Sequence, residues 1–472
     1  MPTIAIIGAG FTGSMLAVHL ISRSDGHLRV VLIERRPACG RGLAYSTANP
    51  SHLLNVPAGK MSAFPSDPNH FLAWLGSRTL PHNNVGRSYG PGSFVPRHLY
   101  GDYLSAIIDG AAESVPSHRL QRIKAQAIDL SLNADTVQIT LSNGATIEAD
   151  RAVLALGNFP PLPPFEGAAS LTASGRYLPN PWQPGTLNSI PSDAAVVLIG
   201  AGLTMVDMAI ALINNGHRGP LHAISRHGLQ PQRHLTPPAP PIQPFSLDEL
   251  PLNARGLLRA VRQRIRTEPA SGWRSVIDAL RPVTQELWRR APHIERARFL
   301  RHLQARWDVH RHRLAPEIAA QIGQALAAGQ LHFHSGRVAA CDATNGSLAV
   351  RLRTRGSAAA ATLSARYLIN CTGPASDYRR IDDPLVRSLL ARGLVRPDPL
   401  RLGLDVDRDL HLLTRDGAPS HRLYATGPLT KGAAWEITSV PDLRVQAESL
   451  ARHLASPTQA YADAETATSF SS

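Results

Sequence analysis

The chain has 472 residues, 43% of them hydrophobic, with 36 glycines and 38 prolines, which suits two or three domains with sizeable cores and tight connections. Its three cysteines, Cys39, Cys341 and Cys371, are widely spaced, which excludes a C-x-x-C dithiol centre and a cysteine-based zinc site. The formal charge of +14 rests on arginine, since only Lys60, Lys124 and Lys431 are lysines, and residues 251–315 carry 15 Arg against five acids. That segment reads as a solvated basic helical face, and no nucleic-acid partner is expected from it.

No apolar stretch is long enough for a membrane span, and the run at residues 4–7 meets Gly8 and Gly10 at once. It reads as a buried first strand, and the expected compartment is the cytoplasm. Residues 3–34 continue as a βαβ unit: "IAIIGAG", then "SMLAVHLISR", then "RVVLIE". In Gly8-Ala9-Gly10-Phe11-Thr12-Gly13 each glycine has its own task. Gly8 permits the turn out of the strand, Gly10 admits a diphosphate to the backbone, and Gly13 lets helix and strand pack closely. Glu34 falls 21 residues after Gly13, where a carboxylate accepts hydrogen bonds from ribose hydroxyls and disfavours a 2′-phosphate. This motif predicts a dinucleotide site.

A loop-rich stretch follows, then a helix over 98–112 and three strand-like runs between 123 and 154, with Asn143-Gly144 as a hairpin turn. A second βαβ unit spans about 194–226, with Gly216 ending its helix. Its loop is Gly200-Ala201-Gly202-Leu203-Thr204-Met205, in which Met205 stands where the third glycine belongs, so helix and strand are expected to sit slightly farther apart. Arg226 lies 26 residues after Gly200, the offset that separates Glu34 from Gly8. A guanidinium there suits the 2′-phosphate of NADPH, though NADH stays open. Helical spacing runs from about 247 to 329, strands return at 331–371, and a helix opens near Ser439. The two βαβ units are the only internal repeat evident. His310 and His312 point apart on a helix, so no metal site is expected there.

Three further strand-plus-glycine junctions end at Gly157, Gly373 and Gly427 ("AVLALGN", "YLINCTGP", "RLYATGP"). With the two glycine loops they resemble the two-dinucleotide-binding-domain flavoproteins. The resemblance implies an α/β fold: two Rossmann-like three-layer dinucleotide-binding domains with an inserted helical segment. It implies bound FAD at the first loop and NAD(P)H as cosubstrate at the second. The expected layout is an FAD domain over 1–165 and 366–455, an NAD(P) domain over 190–365 with a helical insert at about 247–329, and a flexible tail over 456–472. Cofactor contacts are expected at Gly8, Gly10, Thr12, Gly13, Glu34, Asn55, Gly157, Gly200, Gly202, Thr204, Arg226, Gly373 and Gly427. The closing "GD" pair of such proteins is absent at "ATGPLTKG", and the helix after Ser439 either aims its N-terminus at the flavin or is a surface helix capped by Ser439.

The segments "GRGLAYST", "HLLNVPAGKMSAFPSDPNHFLAWL", "AISRHGLQP" and "RWDVHRHRLAP" are similar to those of a bacterial family of FAD/NAD(P)-binding proteins. One activity associated with it is urate hydroxylation with NAD(P)H and oxygen, a step of purine catabolism. A small-molecule substrate and O2 would then be the partners, with His52, Asn55, Lys60 and His70 as candidate substrate donors. Catalytic residues and oligomeric state are not legible. An amine N-hydroxylase, an NAD(P)H–quinone reductase, and a flavin-bound interaction or redox-sensing protein remain as alternatives.

Overall fold

A computed structural model describes residues 1–78, 88–344, 346–354 and 360–456. It divides into two compact units, one formed by Met1–Ala48, Val56–Phe159 and Ser376–Ser472, the other by Asn49–Asn55 and Pro160–Ala375. Residues 457–472, most of the expected tail, lie outside the described residues.

The first unit is built on a six-stranded sheet in the order His411–Leu413, Pro419–Ala425, Arg151–Leu154, Thr3–Ile7, Arg29–Glu34, Leu120–Lys124. All neighbours are parallel except the first pair. A parallel strand is covered on both faces and must be apolar almost throughout. Thr3–Ile7 is buried at every position and Arg29–Glu34 at its four central ones. The helix Phe11–Arg23 buries its first eleven residues. A three-stranded antiparallel meander, Ala127–Leu132, Val137–Leu141 and Thr146–Ala149, precedes Arg151–Leu154. Gly144 turns its second hairpin at φ +84°, with its N–H donating to the Leu141 carbonyl at 3.0 Å.

The second unit has five parallel strands in the order Leu331–Ser335, Leu221–Ser225, Val196–Ile199, Tyr367–Asn370, Tyr177–Leu178. The helix Leu203–Asn214 ends at Gly216, whose φ of +85° lets the His217 N–H return to the Leu212 carbonyl at 3.0 Å. Another antiparallel meander, Arg337–Thr344, Ser347–Arg353 and Ala360–Ala365, leads into Tyr367–Asn370.

The internal repeat is therefore longer than the two βαβ units evident in the sequence. In each unit the strand before the glycine loop is flanked by the strand after the loop's helix and by a strand that follows a meander, and a glycine turn comes next. Meander strands are short and alternate, so two copies share no residue pattern beyond period two.

Between 247 and 327 the chain is mostly helical, with a core of its own around Val261, Val276, Ile277 and Leu287. Part of the arginine charge is spent there: Arg313 is 4% exposed and makes a two-pronged ion pair with Asp278 at 2.9 and 3.0 Å. Arg274 and Arg313 also lie 4.3 and 5.2 Å from the ring centre of Trp273. Among the described residues no helix is long and apolar enough to cross a membrane.

Candidate functional site

The first glycine loop is held from three sides. The Gly8 N–H donates to the Ile33 carbonyl at 2.8 Å, and φ is +106°. A Cβ on Gly8 would stand 2.3 Å from the Ala155 oxygen, and one on Gly13 would stand 1.9 Å from the Gly8 oxygen. Gly10 faces Gly42, with a Cβ on either approaching the other's Cα to 3.3 or 3.2 Å. Glu34 ties the loop to the second strand: one carboxylate oxygen accepts the Ala9 N–H at 2.8 Å, the other the Arg36 N–H at 2.9 Å. Glu34 also lines a cavity with Gly8, Gly10, Gly42, Gln126 and Gly157 among others. Asp383 lines it too, accepting from Gln126 Nε2 at 3.4 Å and capping the helix Pro384–Ala391 through the Val386 N–H. Burial lowers the pKa of Arg36 from its ordinary value, with Glu34 opposing the shift.

The second loop repeats this geometry. The Gly200 N–H donates to the Ile224 carbonyl at 2.7 Å, φ is +116°, and a Cβ would stand 2.2 Å from the Cys371 oxygen. Ala155 donates to the Ile7 carbonyl and Cys371 to the Ile199 carbonyl, both at 2.8 Å. Gly202 has open space where a Cβ would point, and Thr204 beside it is half-buried. Met205 is fully buried at the position equivalent to Gly13, where a side chain rules out so close an approach of helix to loop. Arg226 is exposed just after Leu221–Ser225, and the chain turns there as the Gly228 N–H donates to Ser225 Oγ at 3.1 Å.

These features suit phosphate-bearing ligands. The helices Phe11–Arg23 and Leu203–Asn214 both start from a glycine N-cap, which has no side chain to cap their first N–H groups, and neither has an acid in its first turn. Gly157 and Gly373, at φ +69° and +90°, likewise have no atom within 4 Å of a Cβ position.

Two bracing residues escaped the sequence reading. Gln446 is 9% exposed; its oxygen accepts the Gly427 N–H at 2.7 Å and the Thr426 hydroxyl at 3.1 Å, and its nitrogen donates to Thr430 Oγ1 at 3.0 Å. This fixes Gly427 so that a Cβ there would lie 3.0 Å from Thr12 Oγ1. Asn370, fully buried, accepts the Thr372 N–H and hydroxyl and so braces the Gly373 turn. Gln446→Ala should lower stability by about 2–3 kcal/mol, read from the denaturation midpoint, because three buried bonds go and two partners are left unsatisfied. Ser439 makes no capping bond to the backbone of Val440–Ala455; its hydroxyl donates to the Asp442 carboxylate instead. That helix buries Leu443, Ala447, Leu450 and Leu454 and is not a surface helix.

The candidate substrate donors are divided between the two units. His52 is 5% exposed in the second unit, with Nε2 3.2 Å from the Asp207 carbonyl and its ring edge-on to Trp182. Asn55 also falls in that unit, where its carbonyl faces His234 Nε2 at 3.1 Å, and it is not among the residues lining the first cavity. In the first unit, Lys60 is exposed and His70 bonds the Tyr103 hydroxyl at 2.8 Å.

Two Rossmann-like units, each with a glycine loop opposed by a glycine turn, define the fold of the two-dinucleotide-binding-domain flavoproteins. Residues 5–159 match the family model described as FAD-NAD(P)-binding. No curated protein matches the chain by sequence. Among solved structures it is similar to an ornithine N-hydroxylase of Kutzneria sp. 744, at 16% identity and TM-score 0.65, covering 96% of this chain and 98% of that one. The ornithine hydroxylase of Pseudomonas aeruginosa gives 18% and 0.64, with 96% and 98% covered. The cadaverine monooxygenase of Erwinia amylovora, bound to FAD, gives 15% and 0.65, with 96% and 94% covered.

Proposed function

We propose that the chain is an FAD-dependent monooxygenase that takes electrons from NADPH and hydroxylates the amine of a small molecule. What supports the reading is a likeness over 96% of the chain to N-hydroxylating enzymes, together with two glycine loops of matching geometry. A thioredoxin reductase of Lactococcus lactis shares the fold at TM-score 0.53. Disulfide chemistry is disfavoured here, because Cys371 is buried with its thiol pKa pushed far up by burial, and no second cysteine is near it in sequence.

The first loop, Glu34, Gly157 and Gly427 hold FAD, and the second loop, Gly373 and Arg226 hold NADPH. When bound, these groups supply hydride transfer and oxygen activation. The protein's part would be to orient them: the helix N-termini after the two glycine loops would hold the phosphates, and Glu34 would receive the ribose hydroxyls. Arg226 distinguishes NADPH from NADH. Arg226→Ala should raise the KM for NADPH about 10- to 100-fold while leaving that for NADH nearly unchanged, measured by initial rates with each donor.

The neighbours favour amine hydroxylation over the urate chemistry that the family resemblance implies. The test is NADPH-dependent oxygen uptake with L-ornithine, L-lysine, cadaverine and urate, with detection of hydroxylamine products. Stimulation by an amine with hydroxylamine formed supports the proposal. Stimulation by urate alone, or uptake that no amine alters, overturns it.

A further inference from the structure

Three histidines meet on one face of the second unit's parallel sheet. His222 is the second residue of Leu221–Ser225; His332 and His334 are the second and fourth of Leu331–Ser335, an edge strand. Residues i and i+2 of a strand share a face, and the parallel register sets His222 beside His332. His222 Nδ1 lies 3.1 Å from His334 Nε2. The His332 ring stacks on His222 at 5.2 Å between centres, inclined 22°. His222 and His334 are half-buried and His332 is exposed.

We propose that this trio is a binding site for a borderline divalent transition ion such as Zn2+ or Cu2+. Two nitrogens bound at about 2.0–2.1 Å to one ion stand roughly 3.0–3.4 Å apart, depending on the bond angle. The observed 3.1 Å separation falls in that interval. Imidazole is the ligand such ions prefer. Coordination replaces the bond between His222 and His334 by a shift of tautomer, each ring keeping its one proton on the outer nitrogen. His332 completes the set by rotation of its exposed side chain. The ion would clamp the edge strand to its neighbour.

A competing group, Asp407, Asp409 and His411, already has its ligand atoms within 4.8 Å of one another. Its Asp407 carboxylate, however, is occupied by the N–H groups of Asp409 and His411 and by His411 Nδ1.

The test uses the full chain, freed of metal by a chelator and dialysed against Zn2+. One tightly held equivalent is expected, with affinity at least tenfold lower in His222→Gln and in His334→Gln, and unchanged in His411→Gln. Paramagnetic resonance of the unsubstituted protein with one equivalent of Cu2+ needs no variant and should show coordination by two or more nitrogens. Failure to retain Zn2+, a Cu2+ spectrum without nitrogen coupling, or loss of binding in His411→Gln alone would overturn the proposal. None of these outcomes bears on the redox reading.

Discussion

Gly8→Ala and Gly200→Ala should divide the two cofactor functions. In Gly8→Ala the new Cβ stands 2.3 Å from the Ala155 oxygen, at a φ of +106° that side chains rarely adopt. Neither the strand end nor the crossing strand can yield, because Ile7 and Ala155 are tied by a 2.8 Å backbone bond. The strain is on the order of 3 kcal/mol or more, and it falls on the loop expected to grip the diphosphate. The purified variant should be colourless and destabilised. Gly200→Ala introduces the same clash against Cys371, 2.2 Å away, but in the other unit. That variant should stay yellow while its flavin is no longer bleached by NADPH without oxygen. Absorbance spectra before and after NADPH read both results. Loss of flavin from Gly200→Ala with retention in Gly8→Ala would reverse the assignment of the loops.

Glu34 carries the second large effect. Its carboxylate already accepts two backbone N–H groups, at 2.8 and 2.9 Å, and is half-buried at the cavity wall. Hydrogen bonds to a charged acceptor contribute about 1.5–3 kcal/mol each, so Glu34→Ala should weaken FAD binding about 100-fold through lost ribose contacts and a loosened loop. Glu34→Gln keeps one acceptor oxygen and should lose about 10-fold. Fluorescence titration of the apoprotein with FAD separates the two. Equal affinity in Glu34→Ala and the parent would mean that no ribose sits there.

The elements legible in the sequence are those whose chemistry is local. A parallel strand declares itself by an unbroken apolar run, and Gly8, Gly13 and Gly200 by backbone positions that no side chain tolerates. Glu34 ends its strand and Arg226 directly follows its own, each at the same offset from the first glycine of its loop. The bracing contacts were not legible. Gln446 reaches Gly427 across 19 residues, and Gly42 meets Gly10 from a loop whose path no spacing rule predicts. The histidine trio was half visible: "LHFHS" puts His332 and His334 on one face, but His222 stands 112 residues before His334. Asn55 was harder to place: it follows the first βαβ unit in the chain, yet the short segment Asn49–Asn55 packs with the second unit.

Anaerobic mixing of the purified protein with NADPH tests the central claim most directly, that a pyridine nucleotide at Gly200–Gly202 reduces a flavin held at Gly8–Gly13. The account predicts a yellow protein carrying one FAD per chain, bleached by NADPH and recoloured when oxygen is admitted. A protein that binds no FAD, or whose bound FAD ignores NADPH and NADH alike, would contradict it.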